Sequence, residues 1–257
     1  MVTITGSLQV ERLMRVAIVS DIHSNMVALE TVLAAIGSFD ELWNLGDTIG
    51  YGPCPNECMA SMRQLAKVMI AGNHDLACIG KIDLSDFNLD ARLANEWNGQ
   101  QLDPSHRSLL ETMLPACEVN QRFLVAHGSP REPIWEYLLS TAQARANFEV
   151  FKHQICFIGH SHVPLIFRKH SNGRCDEPYL PMADETYELK SDTRYLINPG
   201  SVGQPRDQNP RAAYAILDTE ANTVYFNRVE YDIAVTQRQM REAHLPTALI
   251  RRLEYGM

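Results

Sequence analysis

The chain has 257 residues and a mass of 29.0 kDa, which is long enough to bury a substantial core without disulfide cross-links. Hydrophobic residues make up 45% of the sequence and charged residues 21%, with a mean hydropathy of -0.21, which excludes a disordered or collagen-like chain. The net charge of -8 gives no electrostatic footprint for duplex nucleic acid, and no stretch approaches the roughly 18 uncharged apolar residues of a membrane helix. We therefore expect a cytoplasmic protein with no membrane partner and a poor fit to nucleic acid.

The first thirteen residues lack the apolar run of a signal peptide. Because Met14 and Arg15 lead directly into a strand-like segment, we expect residues 1–13 to be a loose extension and residues 14–257 to form a single domain. The six cysteines complete no set with zinc-ligand spacing, so we expect reduced thiols.

Five short apolar runs end in small or polar residues, which is typical of buried strands; they are 15–21, 41–47, 67–73, 121–128 and 154–162. Between the first three runs lie segments of helical period, 26–37 and 56–65, which predict the β-α-β-α-β order of an α/β sheet. From about residue 165 the sequence consists of alternating runs joined by turn residues, and we expect antiparallel hairpins there; the segments are LIFRKH-SNGR-C, YELKSDTRYLINPG and AAYAILD-TEAN-TVYFNRVEYD.

Residues 76–120 form a long connection between the third and fourth strand-like runs. Periodicity predicts helices over 89–102 and 105–116, and therefore a helical insertion after the third strand. Because the insertion follows the carboxyl end of a strand, we expect it to cover a site there, with a peripheral helical layer as the alternative. Residues 233–255 also have helical period, divided by Pro246, and are expected to form a solvated helix pair.

All five strand-like runs end in Asp, Asn or His. The carboxyl ends of strands in an open α/β sheet border one crevice, so these side chains are expected to converge. Taken singly, each has a simpler explanation: Asp21, Asp47 and Asn25 are suitable helix caps, and His127 precedes a glycine turn. Five polar strand endings in one chain are not explained in this way, and together they predict a metal site.

Carboxylate, imidazole and amide ligands without thiolate suit Mn, Fe, Co, Ni or Zn rather than calcium. The i, i+2 pairs Asp21/His23 and His160/His162 would place both side chains of a pair on one side of extended backbone. Seven ligands exceed what one catalytic ion takes, so we expect two ions with a shared ligand, an arrangement suited to displacement at phosphorus. The seven are Asp21, His23, Asp47, Asn73, His127, His160 and His162.

The motifs Asp-x-His, Gly-Asp, Gly-Asn-His-Asp, Ala-His-Gly and Gly-His-x-His, in this order from Asp21 to His162, resemble those of the calcineurin-like metallophosphoesterase superfamily. The segments 46-GDTIGYGPCPNE-57 and 198-NPGSVGQPR-206 are similar to its small prokaryotic phosphodiesterase subgroup. The resemblance implies a four-layer α/β/β/α sandwich of two mixed sheets, with the metal site at strand ends between them.

The resemblance also implies the roles of the ligands, with Asp47 shared by both ions alongside a bridging hydroxide that attacks phosphorus. One ion would be held by Asp21, His23, Asp47 and His162, and the other by Asp47, Asn73, His127 and His160.

Three further residues are expected to act on the substrate. His74, with the neighbouring Asn73, would contact the phosphate and donate a proton to the leaving oxygen, and Asp75 would orient His74 or else cap the following segment. Asn25 is expected to contact substrate, with helix capping as the alternative. Arg206 is a weaker candidate, for steering an anion.

The chain departs from many relatives at residues 46–52, where Gly-Asp-Thr-Ile-Gly-Tyr-Gly replaces Gly-Asp-x-x-Asp-Arg-Gly and lacks the arginine that helps grip phosphate. Gly-Asn-His-Asp likewise replaces Gly-Asn-His-Glu. Both departures argue against a protein phosphatase and against an arginine-bearing dinucleoside tetraphosphatase.

The leading hypothesis is a dinuclear phosphodiesterase acting on a small phosphorylated substrate, with phosphomonoesters as side substrates. Manganese is the expected ion, with Fe, Ni, Co and Zn as alternatives. A metal-binding scaffold for protein interaction on the same fold is the second hypothesis. A repair-type nuclease is the third, and the acidic charge balance disfavours it.

Overall fold

Two mixed β-sheets pack face to face in the computed structural model, which describes residues 14–257. The predicted extension over residues 1–13 lies outside the described residues. The first sheet has the strand order β3 (Val68–Met69), β2 (Glu41–Asn44), β1 (Arg15–Val19), β10 (Ala212–Asp218), β11 (Thr223–Val229) and β8 (Glu185–Glu188). The second has the order β4 (Ala116–Val119), β5 (Phe123–Ala126), β6 (Ile155–Ile158), β9 (Thr193–Asn198) and β7 (Leu165–His170).

Each sheet contains a group of neighbouring parallel strands and adjoining antiparallel ones. Strands β1, β2 and β3 are parallel, as are β5, β6 and β9, whereas β10, β11, β8, β4 and β7 pair in antiparallel fashion. The carboxyl ends of the parallel strands therefore mark one edge of each sheet, and all of these strands except β9 correspond to the predicted apolar runs.

Strand β1 is buried on both faces. Val16 and Ile18 point into the core between the sheets, and Ala17 and Val19 point toward the helices on the outer face. Between the sheets, Trp43 packs edge-on against Phe123 with ring centroids 5.3 Å apart. This apolar core fixes the spacing of the two sheets and hence the spacing of the strand ends.

Helices cover the outer face of each sheet and complete four layers. Helices α1 (Met26–Ile36) and α2 (Pro55–Leu65) pack on the first sheet, and α6 (Thr141–Phe148) packs on the second. The α/β fold class with two mixed sheets is confirmed. No helix among the described residues is long and apolar enough to cross a membrane.

The connection after β3 is helical over most of its length. It contains α3 (Asn73–Cys78), a 3-10 turn (Leu84–Asp86), α4 (Leu89–Gln101) and α5 (Pro104–Thr112). The helix predicted over 105–116 stops at Thr112, because Pro115 disfavours helical backbone at the residue before it. The chain then forms β4, which pairs with β5.

Two predictions for the carboxyl-terminal half are wrong. The segment read as one hairpin is divided between the sheets, since β8 pairs with β11 and β9 lies between β6 and β7. The four residues of β8 alternate in exposure, as expected at a sheet edge, whereas Leu196, Ile197 and Asn198 of β9 are all buried and need neighbours on both sides. The hairpin predicted over 212–232 is confirmed, since β10 pairs with β11. In the hairpin predicted over 165–175, Lys169 of β7 forms an antiparallel bridge with Cys175.

The final helices, α7 (Ile233–Glu242) and α8 (Thr247–Arg252), are also not a solvated pair. Met240, Leu249 and Ile250 are buried in one cluster with Tyr51 and the α4 residue Ala94. These helices therefore brace the loop that follows β2, on which Asp47 and Tyr51 lie.

Candidate metal centre

The polar strand endings of both sheets meet at one edge of the sandwich. Asp21 and His23 follow β1, Asp47 follows β2, and the start of α3 follows β3. His127 follows β5 in the second sheet, and His160 and His162 follow β6. The expectation of one open sheet is therefore corrected: two sheets contribute ligands, as the resemblance implied. All seven predicted ligands are buried, with at most 3% of their surface exposed.

The first cluster consists of Asp21, His23, Asp47 and His162, whose candidate donor atoms all lie within 4.8 Å of one another. His162 Nε2 is 3.1 Å from His23 Nε2 and 3.4 Å from Asp21 Oδ1. His23 Nε2 lies 3.7 Å from Asp47 Oδ2. These distances leave the four donors around one small space, as a single cation would require.

The second cluster shares Asp47 and adds His127 and His160. His127 Nε2 is 3.3 Å from Asp47 Oδ2 and 3.1 Å from Asn73 Oδ1, so the predicted amide ligand joins this cluster. Asp47 Oδ2 is buried and has no hydrogen-bond partner among the described residues. An orphaned carboxylate oxygen between two sets of imidazoles fits a cation-bridging role.

Backbone carbonyls orient three of the imidazoles. His127 Nδ1 donates to Leu45 O at 2.9 Å and His162 Nδ1 donates to Gln204 O at 2.5 Å, which leaves Nε2 as the free nitrogen of each ring. His160 is turned the other way, because its Nε2 donates to Trp135 O at 3.3 Å and Nδ1 is left free. Such outer hydrogen bonds fix the tautomer of metal-binding histidines.

The ligand pairs do not converge through extended backbone, as the i, i+2 spacing suggested. Asp21, His23, Asp47, His160 and His162 all lie beyond the strand ends and have positive φ angles between 50° and 64°. Left-handed backbone is uncommon for residues other than glycine, although Asp and His adopt it more often than most, and it concentrates at functional sites. The ligand side chains are therefore oriented by the turns that follow the strands, and not by extended backbone within the strands.

Burial keeps most of the histidines neutral. It lowers the pKa of His23 and His162 well below the usual range and lowers the pKa of His160 to about 3 and that of His74 to about 4. Neutral imidazole is the form that binds metal ions. His23, His160 and His162 therefore need not lose a proton to bind a cation at neutral pH.

The charges of Asp21, Asp47 and His127 shift one another's pKa values. Burial raises the pKa of Asp21 to about 7, a shift that a bound cation would reverse. Burial would also raise the pKa of Asp47, but the neighbouring His127, His74 and His23 outweigh it and hold that pKa well below its usual range. Burial opposes a charge on His127, but Asp47 overcomes it and raises the pKa to about 9. A cation beside Asp47 would compete with that proton.

His74 is held by Asn95, not by Asp75 as predicted. Its Nδ1 lies 2.7 Å from Asn95 Oδ1, and because an amide oxygen only accepts, Nδ1 carries the proton. Asp75 instead accepts from Gly72 N at 2.9 Å and from Ile49 N at 3.0 Å. The alternative of a capping role for Asp75 is therefore the one that its contacts support, since both oxygens are occupied by backbone amides.

The contacts of Asn25 also account for it structurally. Its Oδ1 accepts from Ala28 N at 3.2 Å, capping α1, and from Thr236 Oγ1 at 3.0 Å, while its Nδ2 donates to Gly203 O at 3.0 Å. The side chain is 2% exposed. A contact between Asn25 and substrate stays a prediction.

Comparison with known proteins identifies the family. Residues 14–222 match the family described as the calcineurin-like phosphoesterase superfamily domain. This chain belongs to that superfamily. A metallophosphoesterase from Sphaerobacter thermophilus, known as a crystal structure, is 46% identical, with a TM-score of 0.87 over 96% of this chain and 100% of that one.

Two further proteins are similar to this phosphoesterase over nearly its whole length. An uncharacterised protein of Methanocaldococcus jannaschii is 35% identical over 248 residues, which cover 94% of this chain and 98% of that protein. The crystal structure of a hypothetical protein from Pyrococcus horikoshii OT3 has a TM-score of 0.76 at 20% identity, covering 95% of this chain and 98% of that one, and shares the fold.

Four aromatic side chains around the centre of this phosphoesterase were not predicted from sequence. The Tyr137 ring stacks on His160 with centroids 4.0 Å apart, and Tyr51 and Phe87 lie 4.2 and 4.9 Å from the His74 ring. Trp135 in turn packs against Phe87 at 5.1 Å. No periodic pattern distinguishes these residues, because they come from three separate loops.

The helical insertion borders the centre through two of its residues. Phe87 and the α4 residue Asn95 both contact His74. Asn95 occupies space that Gly50 leaves open, since a Cβ on Gly50 would lie 3.0 Å from Asn95 Oδ1 and 2.9 Å from His74 Nδ1. In the motif of the arginine-bearing relatives, Asp stands at the position of Gly50 and Arg at the position of Tyr51. In this chain the Asn95 side-chain amide therefore contacts His74, whereas that motif has a carboxylate at the position of Gly50.

Proposed function

We propose that this phosphoesterase is a dinuclear, metal-dependent hydrolase of phosphodiesters, with phosphomonoesters as secondary substrates. The observation that carries the proposal is the position of Asp47, whose unpartnered Oδ2 is shared by two buried donor clusters while its Oδ1 accepts from the backbone amide of His74 at 2.8 Å. One side chain thus links both proposed cation sites to the proposed proton donor.

The proposed ligands follow the two clusters. Asp21, His23, Asp47 and His162 would hold one ion, and Asp47, Asn73, His127 and His160 the other. A mixed set of imidazole, carboxylate and amide oxygen suits borderline divalent ions, and we propose manganese, with Fe, Ni, Co and Zn as alternatives. When bound, the two cations supply charge neutralisation at the phosphoryl group and a water of lowered pKa as nucleophile.

The protein groups perform the remaining steps. With its Nδ1 proton held by Asn95, His74 presents Nε2 to the substrate. Burial lowers the pKa of His74 to about 4, but the negative charge of a bound phosphoryl group raises it, so that Nε2 takes up a proton from water and passes that proton to the leaving oxygen. The rings of Tyr51 and Phe87 flank the imidazole and exclude water from it. Asn73, at the start of α3, would act as an oxygen ligand and would lie beside the substrate.

The first test combines elemental analysis with esterase assays. Protein purified without added metal is analysed for bound ions, and turnover of bis(4-nitrophenyl) phosphate and 4-nitrophenyl phosphate is measured in excess Mn. We expect close to two ions per chain and metal-dependent cleavage, faster for the diester. Asp47→Ala should lose both metal and turnover, whereas His74→Ala should retain metal and lose about 10²- to 10⁴-fold in turnover.

Three results would contradict the proposal or part of it. Parent-like turnover of both variants would exclude the assigned roles of Asp47 and His74. Faster hydrolysis of the monoester than of the diester would overturn the substrate preference. Stoichiometric metal without hydrolysis of either ester would instead favour a metal-binding scaffold for protein interaction on the same fold.

A further inference from the structure

Arg206 lies on a loop that is tied to the ligand-bearing turns. Within this loop, which follows β9, Val202 N donates to Ser20 O and Gly203 N donates to Asp21 O, both at 3.0 Å. The Arg206 backbone amide itself donates to His162 O at 3.4 Å. The guanidinium is therefore carried by backbone that is fixed relative to the first ligand cluster.

The partners of the Arg206 guanidinium are neutral. It donates to the hydroxyls of Tyr51 and Tyr137, both at 3.4 Å, and to Gln204 Oε1 at 2.9 Å. Among residues 14–257, no carboxylate lies within ion-pair distance of it. The carboxylate that acts on it from farther away is Asp21, itself a proposed metal ligand.

The two tyrosines that bond the Arg206 guanidinium each contact a histidine of a different donor cluster. The Tyr137 ring stacks on His160 of the second cluster at 4.0 Å, and the Tyr51 ring lies 4.6 Å from His23 of the first. Tyr51 also lies 4.2 Å from His74. A cation held between these hydroxyls therefore stands beside the position where a phosphoryl group would meet His74.

This arrangement leaves the Arg206 guanidinium without a counter-charge in direct contact. Burial removes part of its hydration, and the groups that it touches are neutral. A second guanidinium, that of Arg252, lies 6.0 Å from the Tyr51 ring centroid, and Arg206 lies 5.8 Å from it. Two guanidinium groups therefore lie near the Tyr51 ring, although acidic residues outnumber basic ones in the sequence and the net charge is -8.

We infer that Arg206, together with the Tyr51 and Tyr137 hydroxyls, forms an anion subsite that binds non-bridging oxygens of the substrate's phosphoryl group. The inference rests on the proposed function for the identity of the anion. A guanidinium matches two phosphoryl oxygens with paired, charge-assisted hydrogen bonds, which are stronger than the 3.4 Å bonds to neutral hydroxyls. Phosphate binding thus supplies the missing counter-charge.

The test measures binding of inorganic phosphate by calorimetry, so that it does not depend on turnover. The Mn-loaded and metal-free forms are titrated for the parent, Arg206→Ala, Arg206→Lys and the control Arg211→Ala, whose guanidinium donates to Asn209. Arg206→Ala should bind phosphate at least about tenfold more weakly in the Mn-loaded form, with unchanged metal content. Arg206→Lys should recover part of the loss, and Arg211→Ala should match the parent.

Two outcomes would overturn the inference. One is parent-like phosphate affinity in Arg206→Ala. The other is a loss of phosphate affinity that the control Arg211→Ala reproduces, since phosphate would then respond to the overall positive charge of the protein and not to Arg206.

The two proposals fail separately. If the parent hydrolyses neither ester but binds phosphate in an Arg206-dependent way, the proposed function fails and the anion subsite stands. If the parent hydrolyses diesters and Arg206→Ala binds phosphate with unchanged affinity, the subsite fails and the function stands.

Discussion

Asn95 Oδ1 accepts the Nδ1 proton of His74 at 2.7 Å, and both side chains are almost completely buried. Asn95 Oδ1 is also 3.7 Å from Cys78 Sγ, within reach of a weak thiol hydrogen bond. The contact joins the helical insertion to the centre and fixes the face of the imidazole that meets substrate. A neutral amide orients the ring without placing a second negative charge beside Asp47.

Replacing Asn95 with Ala should impair the proton donor without removing the metal ions. Freed from its Nδ1 partner, the His74 ring can take other orientations, and we expect turnover to fall by about 10- to 100-fold. The loss should be larger for diesters with poor leaving groups than for 4-nitrophenyl esters, because activated leaving groups need little protonation. Turnover across a leaving-group series, with elemental analysis, checks this. An equal loss across the series would show that Asn95 has no bearing on proton donation.

Asp75 is expected to affect stability rather than proton donation. In Asp75→Asn the single amide oxygen can satisfy only one of the amides of Gly72 and Ile49, and the other remains buried without a partner. We expect a loss of about 1–3 kcal/mol in the free energy of unfolding, measured by denaturant titration of the Mn-loaded protein. The leaving-group dependence of turnover should match that of the parent. A dependence like that of Asn95→Ala would restore the role first predicted for Asp75.

The residues of the two donor clusters could be predicted from sequence because each directly follows a buried apolar run, and such runs are visible locally. The five runs appear as β1, β2, β3, β5 and β6, and every residue predicted from their ends lies at the centre. By contrast, local alternation does not reveal which strand a segment pairs with, so the sequence wrongly predicts a single hairpin for β8 and β9.

The partners of the site residues could not be predicted for a related reason. Asn95 lies on α4 among other polar residues, and only the packing of α4 against the loop around Gly50 brings it to His74. Tyr137 and Arg206 are 69 residues apart in sequence, and their contact depends on both sheets being in place. One signal was present in the sequence: Gly50 and Tyr51 stand where the arginine-bearing relatives have Asp and Arg. Their absence implies that other residues of this chain contact His74 and the phosphate.

Gly72 should be required for metal binding, because its backbone lies against Asp47. A Cβ at this position would lie 2.0 Å from Asp47 Oδ1 and 2.5 Å from Asp47 N, so Gly72→Ala must displace the shared carboxylate. We expect loss of bound metal and of turnover, seen by elemental analysis and esterase assay. In the control Gly173→Ala the added Cβ meets nothing within 4 Å, and metal content should be unchanged. Parent-like metal content in Gly72→Ala would argue against Asp47 as the bridging ligand.

Glu136 should make the loop over His160 sensitive to acid. Burial opposes ionisation of this carboxyl group, but hydrogen bonds from Arg131, Asn147 and Ser129 outweigh it and lower the pKa to about 2, from 4.5. A carboxylate whose folded-state pKa is depressed contributes stability that is present above pH 4.5 and is lost as the pH falls toward 2.

The difference in stability between the parent and Glu136→Gln should therefore be largest above pH 5 and shrink as the pH falls through this window. Thermal unfolding measured from pH 2 to pH 7 checks this, with Glu149→Gln as the control because the Glu149 side chain, which pairs with Lys169, is exposed. The control should stay close to the parent throughout. A difference for Glu136→Gln that is independent of pH would mean that the Glu136 charge does not hold the loop carrying Trp135 and Tyr137 against His160.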